Sequence, residues 1–454
     1  MLQPQGHFAH LDNIDRTGEH MAGIELTVGW LALLLPALGA FGGLWLLWLP
    51  RKHLLRTVLI ALGVGAVVGI GLKVLIDDVL NPWGAALDWR IYLYLGLGAT
   101  ALVLVVPRLL SAKRWWSRAL VPLALVLVVA ALAGQINQIF GYYPTLGSVW
   151  GDNGVHVETR PVIPSEQAGQ LTAQTPTVTL KDWKPPAGMP STGKVVKVSI
   201  PGPVSGMASG DSYIYIPPAY QVDRPANVPV LVLIHGNPGS AGDWIQSGKL
   251  AQEMDAYAAG HQGIAPLVVM PDVSGNSAAQ WPLCMDSALG KGKTFLAVDV
   301  PNYVRQTFKL GLGSSKQFAI AGFSYGGTCA LQLGVTAPDA FPIFLDISGE
   351  RGPYLQGGDA ALVAKYFGGD AAAFARVDPL AILKTTRFTQ STAMVVVGGT
   401  DSTYRPQGEE VYAALKNAGV QVQLKVLPGG HSWNVWRPGL TNNMDWLMSA
   451  YGVL

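Results

Sequence analysis

The stretch Phe318-Ala319-Ile320-Ala321-Gly322-Phe323-Ser324-Tyr325-Gly326-Gly327 decides how the rest of the chain is read. A short apolar run leads into G-x-S-x-G, which fits a strand, a one-residue corner and the start of a helix, the pattern of a nucleophile elbow. Small residues on either side of Ser324 let the backbone turn sharply and hold the hydroxyl clear of the sheet. In a chain with 54 glycines the pentapeptide needs support from its neighbours.

That support comes from the surrounding pattern. From about residue 193, β-branched runs alternate with helical patterns: 194–200, 213–216, 228–234, 266–270, 317–321, 343–347, 393–397 and 420–426 read as strands, and 243–259, 294–308, 326–337 and 406–418 as helices. This is the pattern of a mostly parallel sheet covered on both faces, led by an antiparallel hairpin. In such a sheet the chemistry gathers at the carboxyl ends of the strands.

Three polar residues fall there. Ser324 sits at the elbow. Asp401 follows the strand 393–397 in Gly398-Gly399-Thr400-Asp401-Ser402, with Asp346 and Glu350 as competing acids after the preceding strand. His431 follows the last strand in Pro428-Gly429-Gly430-His431-Ser432-Trp433. The order Ser, Asp, His is that of the α/β-hydrolase triad. After the strand 228–234 comes the Gly-rich turn His235-Gly236-Asn237-Pro238-Gly239. Pro238 has no N–H, so the oxyanion hole is assigned to the backbone amides of Asn237 and Tyr325, the latter opening a helix.

Taken together, Leu233-Ile234-His235-Gly236 with Asp243-Trp244, the segment Asp286-Ser287 before Asp299-Val300-Pro301, the Gly322–Gly327 elbow and Gly430-His431-Ser432-Trp433 resemble an esterase family of the α/β-hydrolase superfamily. That family includes esterase D-like enzymes and the antigen 85 mycolyltransferases. The resemblance spans roughly 195–450. It implies Ser324 as nucleophile, His431 as base, an acidic partner at Asp401 and an oxyanion donor at Asn237. Antigen 85-type enzymes use a glutamate as the acid, so Asp401 leans toward the general esterases. Trp281, Trp433 and Trp436 are candidates for a substrate pocket, although aromatic residues beside a sheet are more often core. Residues 349–383, with Tyr354, Tyr366, Phe367 and Phe374, are read either as a cover over an acyl pocket or as helical packing on the sheet flank. Cys284 and Cys329 are candidates for a disulfide bracing the elbow, with two buried thiols as the alternative.

The first third of the chain is different in kind. With 50% hydrophobic and only 13% charged residues over 454 positions, and a mean hydropathy of +0.30, the chain is too apolar to be wholly soluble. Four apolar runs, at 26–49, 54–76, 90–107 and 118–140, each approach the ~20 residues that cross a hydrocarbon core. Pro36 and Lys73 are tolerable inside such helices. Arg51, Lys52 and Arg56 lie between the first two runs, and Arg108, Lys113, Arg114 and Arg118 between the last two, so both loops are expected on the cytoplasmic side. The N-terminal tail and everything after the fourth run are then extracytoplasmic. No basic n-region precedes the first run, so no removable signal peptide is expected.

The expected organisation is therefore a four-helix membrane domain at 1–140, an extracytoplasmic linker at 141–191 rich in Pro, Thr, Gly and Gln, and an α/β-hydrolase domain at 192–454. The net charge of +2 and the absence of a basic block in the last two thirds argue against a nucleic-acid partner. Two cysteines exclude a Cys-built zinc site, and neither metal nor cofactor is expected. The functional expectation is a multi-pass, membrane-anchored serine esterase or acyltransferase whose substrate is a lipid or glycolipid ester of the cell envelope. Mycolyl transfer and hydrolysis of an aminoacyl phospholipid fall within the same chemistry. A non-catalytic binding or assembly module, or a transporter with an appended domain, is the competing class. An intact Ser, Asp, His order argues against the module, and the lack of paired intramembrane charges against the transporter.

Overall fold

A computed structural model describes residues 23–81, 84–159, 171–207, 209–273 and 282–454. The chain forms two compact units, Met1–Gly154 and Val155–Leu454.

The first unit consists of α1 (Gly29–Leu46), α2 (Arg51–Lys73, continued by a π-helical turn Val74–Leu80), α3 (Trp89–Ser111) and α4 (Trp115–Phe140). All four are long and apolar enough to cross a membrane. Their outer faces carry Leu33, Leu55, Val67, Ile70, Leu102 and Val126, each more than half exposed. An apolar face of that extent suits hydrocarbon and not water. Inside, α2 meets α3 where small residues face each other. A Cβ added to Gly65 would lie 2.5 Å from the Gly96 carbonyl oxygen, and one added to Gly96 would lie 2.6 Å from that of Gly65. Such close backbone approach is how helices associate where no hydrophobic effect drives them together.

The second unit is built on a nine-stranded sheet in the order β1-β2-β3-β5-β4-β8-β9-β10-β11. The strands are β1 (Val157–Glu158), β2 (Lys194–Val198), β3 (Ser212–Ile216), β4 (Val230–Ile234), β5 (Leu267–Met270), β8 (Phe318–Phe323), β9 (Ile343–Ile347), β10 (Thr392–Gly398) and β11 (Gln421–Leu427). The pairs β2–β3 and β3–β5 are antiparallel, and the run from β5 to β11 is parallel. A small hairpin of β6 (Asp286–Ser287) and β7 (Gly290–Lys291) stands apart. Every residue of β4, β5, β8 and β9 is buried, as expected of strands covered on both faces.

All eight strands expected from the sequence are present, each end within two residues of its expected position. One expected helix divides: 243–259 becomes Gly242–Gln246 and α5 (Leu250–Gly260), because Lys249 takes φ +51° and stops the first turn. The linker stretch is not free chain throughout. Val157–Glu158 pairs with β2, Val178 N–H donates to Asn227 O and Leu180 N–H to Val453 O, so parts of 155–191 are laid onto this unit. Residues 349–383 form three short helices, Gly358–Phe367, Ala371–Ala375 and Pro379–Thr385.

Candidate active site

Ser324 is the corner between β8 and α6 (Tyr325–Thr336), with φ +54° and ψ −123°. A non-glycine residue holds that conformation only where its surroundings over-determine it. Here they do. Ser324 N–H donates to Ile347 O at the end of β9 (2.8 Å), and Thr328 N–H closes the first helical turn on Ser324 O (3.0 Å). The two glycines of the motif have steric reasons. A Cβ on Gly322 would lie 2.5 Å from the Gly326 backbone, and one on Gly326 would lie 2.3 Å from Ile234 O at the end of β4.

His431 and Asp401 arrive on two loops that are tied together. Gly399 N–H donates to Leu427 O (2.7 Å) and Thr400 N–H to Gly429 O (2.9 Å), so the turns after β10 and β11 are hydrogen-bonded to each other. His431 Nε2 lies 2.9 Å from Ser324 Oγ, and His431 Nδ1 lies 3.1 Å from Asp401 Oδ2. Asp401 Oδ1 accepts from Tyr404 N–H (2.9 Å) and Thr403 N–H (3.2 Å), which orients the other oxygen toward the imidazole. Ser324 and Asp401 are 8% and 7% exposed, whereas the His431 side chain is 25% exposed and open to a reactant.

The imidazole is also held from its faces. The Tyr404 ring stacks on it at 3.8 Å and 16°, and the Trp436 ring meets it edge-on at 4.9 Å. Trp436 in turn stacks on Phe323, beside the nucleophile. Trp433 is only 2% exposed, with its ring against Trp244, Phe323 and Trp436, so it packs the core beneath the site. Trp281 lies outside the described residues. Tyr404 carries no local sequence signal, because its contact with His431 joins the start of a helix to a loop separated from it in the chain.

The competing acids have other partners. Glu350 accepts from the Thr328 hydroxyl, while its own N–H donates to Thr328 Oγ1 (2.9 Å), so the loop after β9 is latched to the nucleophile helix. Burial pushes the Glu350 carboxyl up, against the opposing pull of that hydroxyl and of the nearby His431. Asp346 is wholly buried, accepts from Gly349 N–H (2.9 Å) and is pushed up to about 7 by desolvation. Neither acid is hydrogen-bonded to the imidazole.

The turn carrying Asn237 lies against the helix start carrying Tyr325: the Cβ position of Gly326 is 2.8 Å from His235 O. The Asn237–Pro238 bond is cis. A disulfide joins Cys284 to Cys329 on α6, and Tyr325 Oη is 3.2 Å from Cys284 Sγ. A cleft of about 350 Å³ is walled by Glu350, Arg351, Tyr354, Phe374, Asp378 and Lys384, largely from the 349–383 segment.

Comparison with known proteins agrees with this architecture. Residues 211–447 match the family described as "Putative esterase". A protein of Corynebacterium glutamicum described as uncharacterized is 32% identical over 418 residues, which cover 90% of this chain and 93% of the relative. Among solved structures, a ferulic acid esterase superposes with a TM-score of 0.50 at 23% identity, over 58% of this chain and all of that one. An S-formylglutathione hydrolase from Agrobacterium tumefaciens gives 0.47 at 20% identity, over 58% of this chain and 97% of that one. With an elbow, a parallel sheet and a family match over more than half its length, the chain is a member of that esterase family, on the α/β-hydrolase fold.

Proposed function

We propose that the protein is a membrane-anchored, extracytoplasmic serine esterase or acyltransferase acting on lipid or glycolipid esters of the cell envelope. The observation that carries the reading is the relay from Ser324 Oγ through His431 to Asp401, with contacts of 2.9 and 3.1 Å at a strained elbow. In this reading Ser324 O–H donates to His431 Nε2, whose ring donates from Nδ1 to Asp401. His431 takes the proton as Oγ attacks the ester carbonyl, and Asp401 stabilises the resulting imidazolium. The backbone N–H groups of Asn237 and Tyr325 receive the oxyanion. Collapse expels the alcohol, which takes its proton from His431, and leaves an acyl-Ser324. Water or a second hydroxyl then attacks that acyl-enzyme with the same histidine as base.

The cleft bears on the substrate class. Its wall carries carboxylates (Glu350, Asp359, Asp378, Glu410) with Arg351 and Lys384, and has aromatic faces at Tyr354 and Phe374. That lining suits the polar alcohol or glycosyl part of an ester better than an acyl chain. In this reading the 349–383 segment lines the headgroup side of the substrate.

A fluorophosphonate probe should label the wild type at one site and leave Ser324→Ala unlabelled. Labelling of Ser324→Ala at an undiminished level would overturn the nucleophile. The same pair of proteins, assayed on an ester panel that includes native envelope lipids, tests the substrate class. Turnover of soluble short-chain esters alone would remove it.

A further inference from the structure

The first unit holds a cavity of about 420 Å³ where the end of α1, the start of α2, the end of α3 and the start of α4 converge. Trp45, Trp48, Trp116, Arg108, Lys113 and Arg114 line it, and no carboxylate does. Arg108 is 5% exposed. Its Nε donates to Trp45 O (3.0 Å), one terminal nitrogen donates to Ser117 Oγ (3.0 Å), and its guanidinium lies 5.0 Å from the centre of the Trp45 ring. A guanidinium has five N–H donors, so two bonds leave it under-used. Among the described residues none of the three cations forms an ion pair with a carboxylate.

A buried cation is costly unless an anion or a full set of acceptors accompanies it. The protein here supplies a carbonyl, a hydroxyl and a ring face, but no anion. The cavity also takes in the first turn of α4, a 26-residue helix whose opening N–H groups have no side-chain cap. Such a helix start favours an anion in its own right. Of the lining rings, Trp48 and Trp116 are 70% and 41% exposed, placing large amphipathic rings where a membrane meets water.

We infer that this cavity is a binding site for the phosphodiester headgroup of an anionic phospholipid, on the side of the membrane carrying the two basic loops. Arg108 contacts the phosphate from within, Lys113 and Arg114 from the rim, and the tryptophans flank the glycerol and the upper acyl chains. The inference is independent of the esterase chemistry and rests on α1 to α4 spanning a membrane. Its failure would leave the triad untouched.

Native mass spectrometry of the full chain in neutral detergent, titrated with phosphatidylglycerol and separately with phosphatidylcholine, tests it. Phosphatidylglycerol should be retained and phosphatidylcholine lost. Arg108→Gln should weaken phosphatidylglycerol by about fivefold or more, and Lys113→Ala/Arg114→Ala by about 30-fold, in line with about 1 kcal/mol for each basic residue at an anionic lipid surface. If Arg108→Gln lowers the melting temperature sharply, the rim pair carries the test. Equal retention of the two lipids, or unchanged phosphatidylglycerol affinity in the folded variants, would overturn the site. Displacement of phosphatidylglycerol by millimolar inorganic phosphate would overturn the lipid as its source and leave a free-anion site.

Discussion

Asp401 shows how a single side chain is prepared for its proposed role. Two backbone N–H groups from Thr403 and Tyr404 occupy one oxygen, and the other faces His431. Asp401→Asn keeps the shape but favours the wrong imidazole tautomer, and kcat should fall about 10⁴-fold, as in the serine-protease template. A Tyr404→Leu change removes the stacked face and should cost far less. Steady-state kinetics of the two variants would distinguish a proton-relay partner from a packing partner, and equal losses would count against the relay. Asp346 makes a different prediction. Its carboxyl is pushed up to about 7 from an ordinary 3.8, so the folded state holds its proton more tightly than the unfolded chain does. The stability that proton uptake confers is complete below about pH 4 and is lost as pH rises toward 7. Asp346→Asn keeps an acceptor for Gly349 N–H while removing the charge. It should raise stability at pH 8 by about 4 kcal/mol and leave it unchanged near pH 4. Thermal melts across that range check this, and a pH-independent difference would sink it.

At the level of elements, the elbow was readable because its demands are local. Gly322 and Gly326 have to be small where helix, corner and β4 come within van der Waals contact, and that requirement is written into five consecutive residues. The central strands were equally readable, since burial on both faces forces unbroken apolar runs such as Val230–Ile234. The 349–383 segment was less so, because Ala and Gly carry little periodicity. Its helix starts do have a local signal that the apolar pattern hides: Asp370 and Asp378 accept from the N–H groups of Ala373 and Ala381, and Pro379 follows the second cap. The Thr328–Glu350 latch and the Tyr404–His431 stack had no such signal, being contacts between a helix and a loop separated in the chain. The disulfide couples elements as well, closing 45 residues between the β6–β7 region and the nucleophile helix. Cys284→Ala/Cys329→Ala should lower unfolding free energy by up to about 4 kcal/mol on the chain-entropy account. Denaturant melts of the variant against wild type test this, and an unchanged midpoint would show that the bridge is not a brace.

For the whole molecule the deciding matter is which side of the membrane Ser324 faces, because that sets the esters it can meet. Two loops rich in Arg and Lys flank α1–α2 and α3–α4, and the structure sharpens the asymmetry between sides. On the α2–α3 side the cations have acidic neighbours: Arg90 pairs with Asp88 at 2.6 Å, and Lys73 lies 3.7 and 3.9 Å from Asp77 and Asp78. On the opposite side Arg108, Lys113 and Arg114 line a cavity without a carboxylate. The positive-inside tendency weighs the Lys and Arg of short loops, and these gather around the α1–α2 and α3–α4 connections, so the α2–α3 loop and the chain beyond α4 should both lie outside. The cysteine content gives a direct way to ask. Both native cysteines are joined in the disulfide, so one introduced thiol is the reactive one. Ala86→Cys, on the α2–α3 loop, should react with a membrane-impermeant maleimide in intact cells, and Lys52→Cys, at the start of α2, only after permeabilisation. The reverse pattern would place Ser324 in the cytoplasm, where envelope esters do not reach it, and the proposed substrate class would have to be abandoned while the triad chemistry stood.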